Sequence, residues 1–137
     1  MANEAEAKIR KFETGATRDT DVSKYDYEGF LSPAVLERFG AYMHKHRVQA
    51  NGELRDSGNW QRGIPKDAYM KSLIRHVFAL WRTHRNVPEV ENIEDSLCAI
   101  MFNAMGYLFE EIRTKNAVIA KDMPQVPNTK TTMSPLQ

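Results

Sequence analysis

From Asn92 onward the chain reads as one long amphipathic helix, and no other stretch limits the fold as much. Leu97, Ile100, Met101, Ala104 and Leu108 recur at steps of three or four residues, the period that aligns side chains along one face of an α-helix. Asn92 stands where a cap for the first free N–H groups is needed, and Asp95 takes the acidic position of a capping box. The pattern extends through Ile112 and predicts a turn or two beyond Arg113. A second line on the same helix, Asp95, Ala99, Phe102 or Asn103, Gly106 and Glu110, reads as a polar stripe. Ala99 and Gly106 keep it low, open to a close backbone or a ligand. The apolar line is the one expected to be buried.

Two further helices are legible. Ser32 caps the first and Pro33 follows at the position where a missing N–H costs nothing. Val35, Leu36, Phe39, Tyr42 and Met43 then predict an apolar core face up to about His46. The second runs from Lys66 or Asp67 to His84, with a broad stripe of Tyr69, Met70, Leu73, Ile74, Val77, Leu80 and Trp81. Between them Asn51-Gly52, Ser57-Gly58, Gly63 and Pro65 break the period and predict a long ordered loop, a feature that is often functional. Residues 1–31 read as a polar arm with a helical turn around Glu4 to Phe12, residues 32–116 as the helical domain, and 117–137 as a flexible tail rich in proline. The expected fold is all-α: a small bundle of three main helices, short helices and long ordered loops, completed by oligomerisation.

Composition narrows the function classes. Nineteen basic residues against eighteen acidic ones leave a charge of +1, which gives no general attraction to nucleic acid or anionic lipid. Cys98 is the only cysteine, so no disulfide forms within the chain, and a reducing cytoplasm is the expected compartment. The longest strongly apolar run, around Leu97 to Phe102, falls far short of the roughly 20 residues of a membrane helix. No P-loop, paired CxxC, HExxH helix or serine elbow occurs.

The residues that remain can carry chemistry or simple structure. Glu91, Glu94 and Asp95 form a dense acidic cluster, able to ligate Mg²⁺ through oxygen or to favour the positive end of a helix. Glu37 from the first helix is a further candidate ligand. His76 reads as a boundary histidine or a catalytic group, and Arg75 as a phosphate fork or a surface ion pair. Lys24, Tyr25, Arg55, Asn59 and Trp60 suit a nucleotide: cations for phosphate, Asn59 for a base edge, Trp60 for stacking or for anchoring its loop. Asn103 is placed to touch a base, a sugar or a bound water.

These residues also form a pattern. Gly15-Ala16-Thr17-Arg18-Asp19 followed by Lys24-Tyr25, the opening Ser32-Pro33, Asn59-Trp60-x-x-Gly63-Ile64-Pro65, Arg75-His76, and a Glu94-Asp95 helix with Asn103 together resemble the phage and bacterial domain described as dATP/dGTP diphosphohydrolase, N-terminal, a relative of the MazG-like all-α nucleotide pyrophosphohydrolases. The resemblance covers about residues 15 to 110. It implies Mg²⁺-dependent cleavage of a (deoxy)nucleoside triphosphate to monophosphate and pyrophosphate by an oligomer. Lys24, Tyr25, Asn59, Trp60, Gly63, Arg75, His76 and Asn103 are the matching positions, with Glu94, Asp95, Arg75 and His76 in catalytic roles and Glu91, Glu94, Asp95 and Glu37 around the metal. The broader pyrophosphohydrolases carry acidic pairs on two helices, whereas here no acidic residue lies between Asp67 and His84. The alternative is a non-catalytic phage protein that binds a nucleotide or a host protein.

Overall fold

The computed structural model describes residues 8–88 and 91–122, which form two compact units dividing at Gly40. The N-terminal unit opens with a hairpin. Strand β1 (Ile9–Lys11) pairs antiparallel with β2 (Thr17–Asp19), with Arg10 opposite Arg18. Gly15 turns the chain at φ +86°, and the amide of Phe12 donates to the carbonyl of Ala16 at 2.9 Å. The helical turn expected around Glu4 to Phe12 is therefore a strand over its described part. Helix propensity is a weak prior that strand pairing overrides; residues 1–7 lie outside the described set. Helix α1 (Tyr27–Phe30) follows, capped by Asp26.

Helix α2 (Pro33–Lys45) begins as its sequence requires, with Ser32 Oγ accepting from the amide of Val35 at 3.3 Å. Its apolar face is less buried than the periodicity predicts. Tyr42 is buried and Phe39 and Met43 are partly covered, but Val35 and Leu36 are exposed. The connection to the next helix is ordered, as expected. Arg47 and Arg55 are joined backbone to backbone, Val48 bridges Leu54, and Asn51-Gly52 turns the tip with Gly52 at φ +80°. A 3₁₀ turn (Asn59–Arg62) completes it.

Helices α3 (Lys66–His84) and α4 (Ile93–Asp122) are the main packed pair. They run antiparallel: Lys66 at the start of α3 pairs with Glu111 well along α4, and His76, midway along α3, meets Glu91 just before α4 begins. Asn92 caps α4, its Oδ1 accepting from the amide of Glu94 at 2.8 Å. The helix continues nine residues past Arg113, so the described part of the expected tail is helical; residues 123–137 lie outside the described set.

The orientation of α4 is the reverse of the expected one. Ser96, Ala99, Asn103, Gly106 and Glu110, most of them from the polar stripe, are buried. The apolar line is more open, with Leu97 at 44% and Leu108 at 58% exposure and Ile100 and Met101 half-buried. Small side chains explain this. Ser96, Ala99 and Gly106 let the α3 backbone come close, and the ring of Tyr69 lies where a Gly106 side chain would be. Close packing of small residues wins α4's first face, and its apolar face is left over. On α3 the same thing happens: Tyr69 is buried, while Met70, Ile74, Val77, Phe78 and Trp81 are exposed. No described helix is long and apolar enough to cross a membrane.

Candidate functional site

The end of α2, the middle of α3 and the start of α4 bring together a polar cluster in the C-terminal unit. At its centre is Glu91. One carboxylate oxygen stands 3.1 Å from Nδ1 of His76, and the other accepts from the fully buried hydroxyl of Ser96 at 2.8 Å. One turn further along, Asp95 takes the ammonium of Lys45 at 2.7 Å. Tyr42 and His46 stack in a tilted arrangement with ring centres 4.3 Å apart, and the Lys45 ammonium lies 6.0 Å from the Tyr42 ring centre.

Electrostatics couples these groups. Burial, and then the negative charges of Glu91 and Asp95, push the Tyr42 phenol above its ordinary 10.0. Partial desolvation, and then the Lys45 ammonium, hold His46 below 6.5, although Asp95 and Glu91 pull the other way. The cluster therefore holds two carboxylates with a cation, two imidazoles, a phenol and a hydroxyl within mutual influence. It can bind a charged ligand by exchange, a phosphate replacing a carboxylate on Lys45 or a cation replacing Lys45 on Asp95.

Of the sites anticipated from sequence, His76, Glu91 and Asp95 are brought together. Glu94 is exposed in the first turn of α4, close by in the chain. Arg75 is exposed on α3 and, as the neighbour of His76, points some 100° around the helix from it. Glu37 belongs to the N-terminal unit. Among the described residues no three His, Cys, Asp or Glu side chains form a set that could hold a metal ion.

The expected nucleotide contacts are dispersed. Asn103 is buried, with its amide donating to the carbonyl of Ala99 at 2.8 Å, so it satisfies its own helix and presents nothing to a ligand. Trp60 packs edge-on against Phe109 and Phe102, with ring centres at 4.8 and 6.5 Å, which is the anchoring role. Asn59 opens the 3₁₀ turn with its amide on the carbonyl of Asp56. Arg55 is exposed beside the Val48–Leu54 bridge. Lys24 and Tyr25 line an open concavity of about 540 Å³ with Asp21, Asp26, Tyr27 and Glu28, where the carboxylates outnumber the single cation. That balance opposes a phosphate.

The sequence does not mark Tyr42, Lys45 or Ser96 as site residues, and it offers His46 only as part of the basic end of α2. The only local signal was the basic end of α2, which has an adequate explanation in the helix dipole. A further polar pair is fully structural. Arg113 bonds Glu110 at 2.7 Å and the carbonyl of Gln61 at 3.3 Å, clasping the 3₁₀ turn to α4. Comparison with family models, curated proteins and solved structures returns no match to this chain.

Proposed function

We propose that this chain is a Mg²⁺-dependent (deoxy)nucleoside triphosphate pyrophosphohydrolase-like protein, working on purine dNTPs or related nucleotides as a homo-oligomer. The observation that supports it is the meeting of His76, Glu91 and Asp95 with Lys45 and His46, which come from the end of α2 some fifty residues earlier in the chain. Mg²⁺ is commonly held by one or two carboxylates together with substrate phosphates. Glu91 and Asp95 are the carboxylates that would hold a cation arriving with its nucleotide. A cation held there would offset phosphate charge and lower the pKa of a water it bound. The chain's own part is to hold Glu91 in place through His76 and Ser96 and to offer the Lys45 ammonium beside Asp95 as a cation for a phosphate oxygen.

One observation favours a second reading, a non-catalytic protein that binds a nucleotide or a host protein: both cluster carboxylates already have internal partners. The two readings separate in one assay. Each dNTP is incubated with Mg²⁺ and the protein, and pyrophosphate release and nucleotide binding are both measured. The enzyme reading expects release that stops with a chelator and falls by about 100-fold or more in Asp95→Asn and Glu91→Gln, with the helical circular dichroism retained. Binding without release at high protein concentration selects the second reading, and neither binding nor release with any nucleotide removes nucleotide chemistry altogether.

A further inference from the structure

The outer face of α4 carries an internal symmetry. Leu97, Met101, Ala104, Met105, Leu108 and Ile112 are spaced by four, three, one, three and four residues, a pattern that reads the same in both directions. Leu97, Met105, Leu108 and Ile112 are 37–58% exposed, although each is large and apolar. The face lies opposite the one that packs on α3. The stripe from Leu97 to Ile112 is about 22 Å long, enough for a sustained helix–helix contact.

We infer that this face seats α4 of a second copy of the chain, antiparallel, about a two-fold axis passing between Ala104 and Met105. A two-fold contact requires the same patch on both subunits, with each residue's counterpart returned by the symmetry, and a palindromic stripe meets that condition. Leu97 falls opposite Ile112 of the partner subunit, Met101 opposite Leu108 of the partner subunit, and Ala104 opposite Met105 of the partner subunit. Ala104, at the crossing point, is the small residue that lets the helices approach. Charge follows the same register: Glu94, just before the stripe, falls opposite Lys115 of the partner subunit, just after it, so each end of the contact joins opposite charges. The spacing is that of any one helix face, and it is the opposite charges at its two ends, Glu94 and Lys115, that favour a second copy as the occupant. The contact does not depend on the nucleotide reading, because it uses none of the cluster around Glu91.

Light scattering across a micromolar concentration series tests it on the full chain. The expected mass is twice 15.8 kDa. Leu108→Glu should give one-chain mass, with its folding checked by circular dichroism. Glu94→Lys and Lys115→Glu, both at exposed positions, should each raise the dimer dissociation constant by about tenfold, and the double reversal should restore it to within about threefold. A wild-type mass of one chain throughout the series overturns the proposal. So does a dimer indifferent to either reversal, or one that the double reversal does not restore.

Discussion

Tyr69 carries a hydroxyl that has no partner among the described residues. The residue is 1% exposed, its Oη makes no hydrogen bond, and one oxygen of the neighbouring Glu110 is equally unpartnered. Burial and the Glu110 charge both raise the phenol above its ordinary 10.0. A buried polar group without a partner costs about 1–3 kcal/mol, whereas the ring itself fills the space over Gly106. Tyr69→Phe should therefore keep the packing and gain about 1 kcal/mol in urea unfolding, whereas a loss would mean the hydroxyl is bonded in solution. His46 gives the opposite kind of prediction, set by pH. Its surroundings are Lys45, His76, Asp95 and Glu91, and its folded value lies below 6.5. Above 6.5 both folded and unfolded chains hold it neutral and the stabilisation is complete. As pH falls through that value the unfolded chain takes the proton first and stability drops, until the folded imidazole is protonated too. The urea midpoint should fall between about pH 7.5 and 5.5 by more in the wild type than in His46→Gln. Equal falls in the two proteins would refute the assignment.

At the scale of elements, α4 is where sequence reasoning both succeeded and failed. Its existence, its cap at Asn92 and its extension past Arg113 follow from periodicity and end signals, which are local. Which face it buries does not follow. Hydropathy places Leu97 and Leu108 inside, but α3 can approach most closely where α4 is smallest, and that side holds Ser96, Ala99 and Gly106. Asn103 tolerates the position because its amide bonds its own helix, and Glu110 because Arg113 neutralises it. The periodic rule assumes that the most apolar face of a helix is core, and a helix that packs by its smallest face breaks that assumption. Gly106→Ala tests the close approach directly. The added methyl meets the Tyr69 ring, so the variant should lose stability toward the upper end of the ~1–3 kcal/mol typical of overpacking, read as a lower urea midpoint. A shift within ~0.5 kcal/mol would show that the two helices separate freely.

For the molecule as a whole, the all-α class and the three main helices were legible because each rests on a run of residues that is its own evidence. The hairpin of β1 and β2 was not, since Ile9–Lys11 becomes strand only through its pairing with Thr17–Asp19. The candidate site was half legible. Glu91, Asp95 and His76 announce themselves by chemistry, while Tyr42, Lys45 and His46 join them only because the end of α2 meets the start of α4, a long-range fact. The connection between α2 and α3 is anchored at one end and loose at the other. The 3₁₀ turn is clasped by Arg113 and anchored by its own Trp60 on Phe109, whereas among the described residues the Asn51-Gly52 tip is held by its own short ladder. Lengthening a closed loop costs little, about 0.6 kcal/mol per doubling. The tip is thus the place where this chain can accept inserted sequence, even a whole added domain, while the turn at Asn59–Arg62 has no room for it.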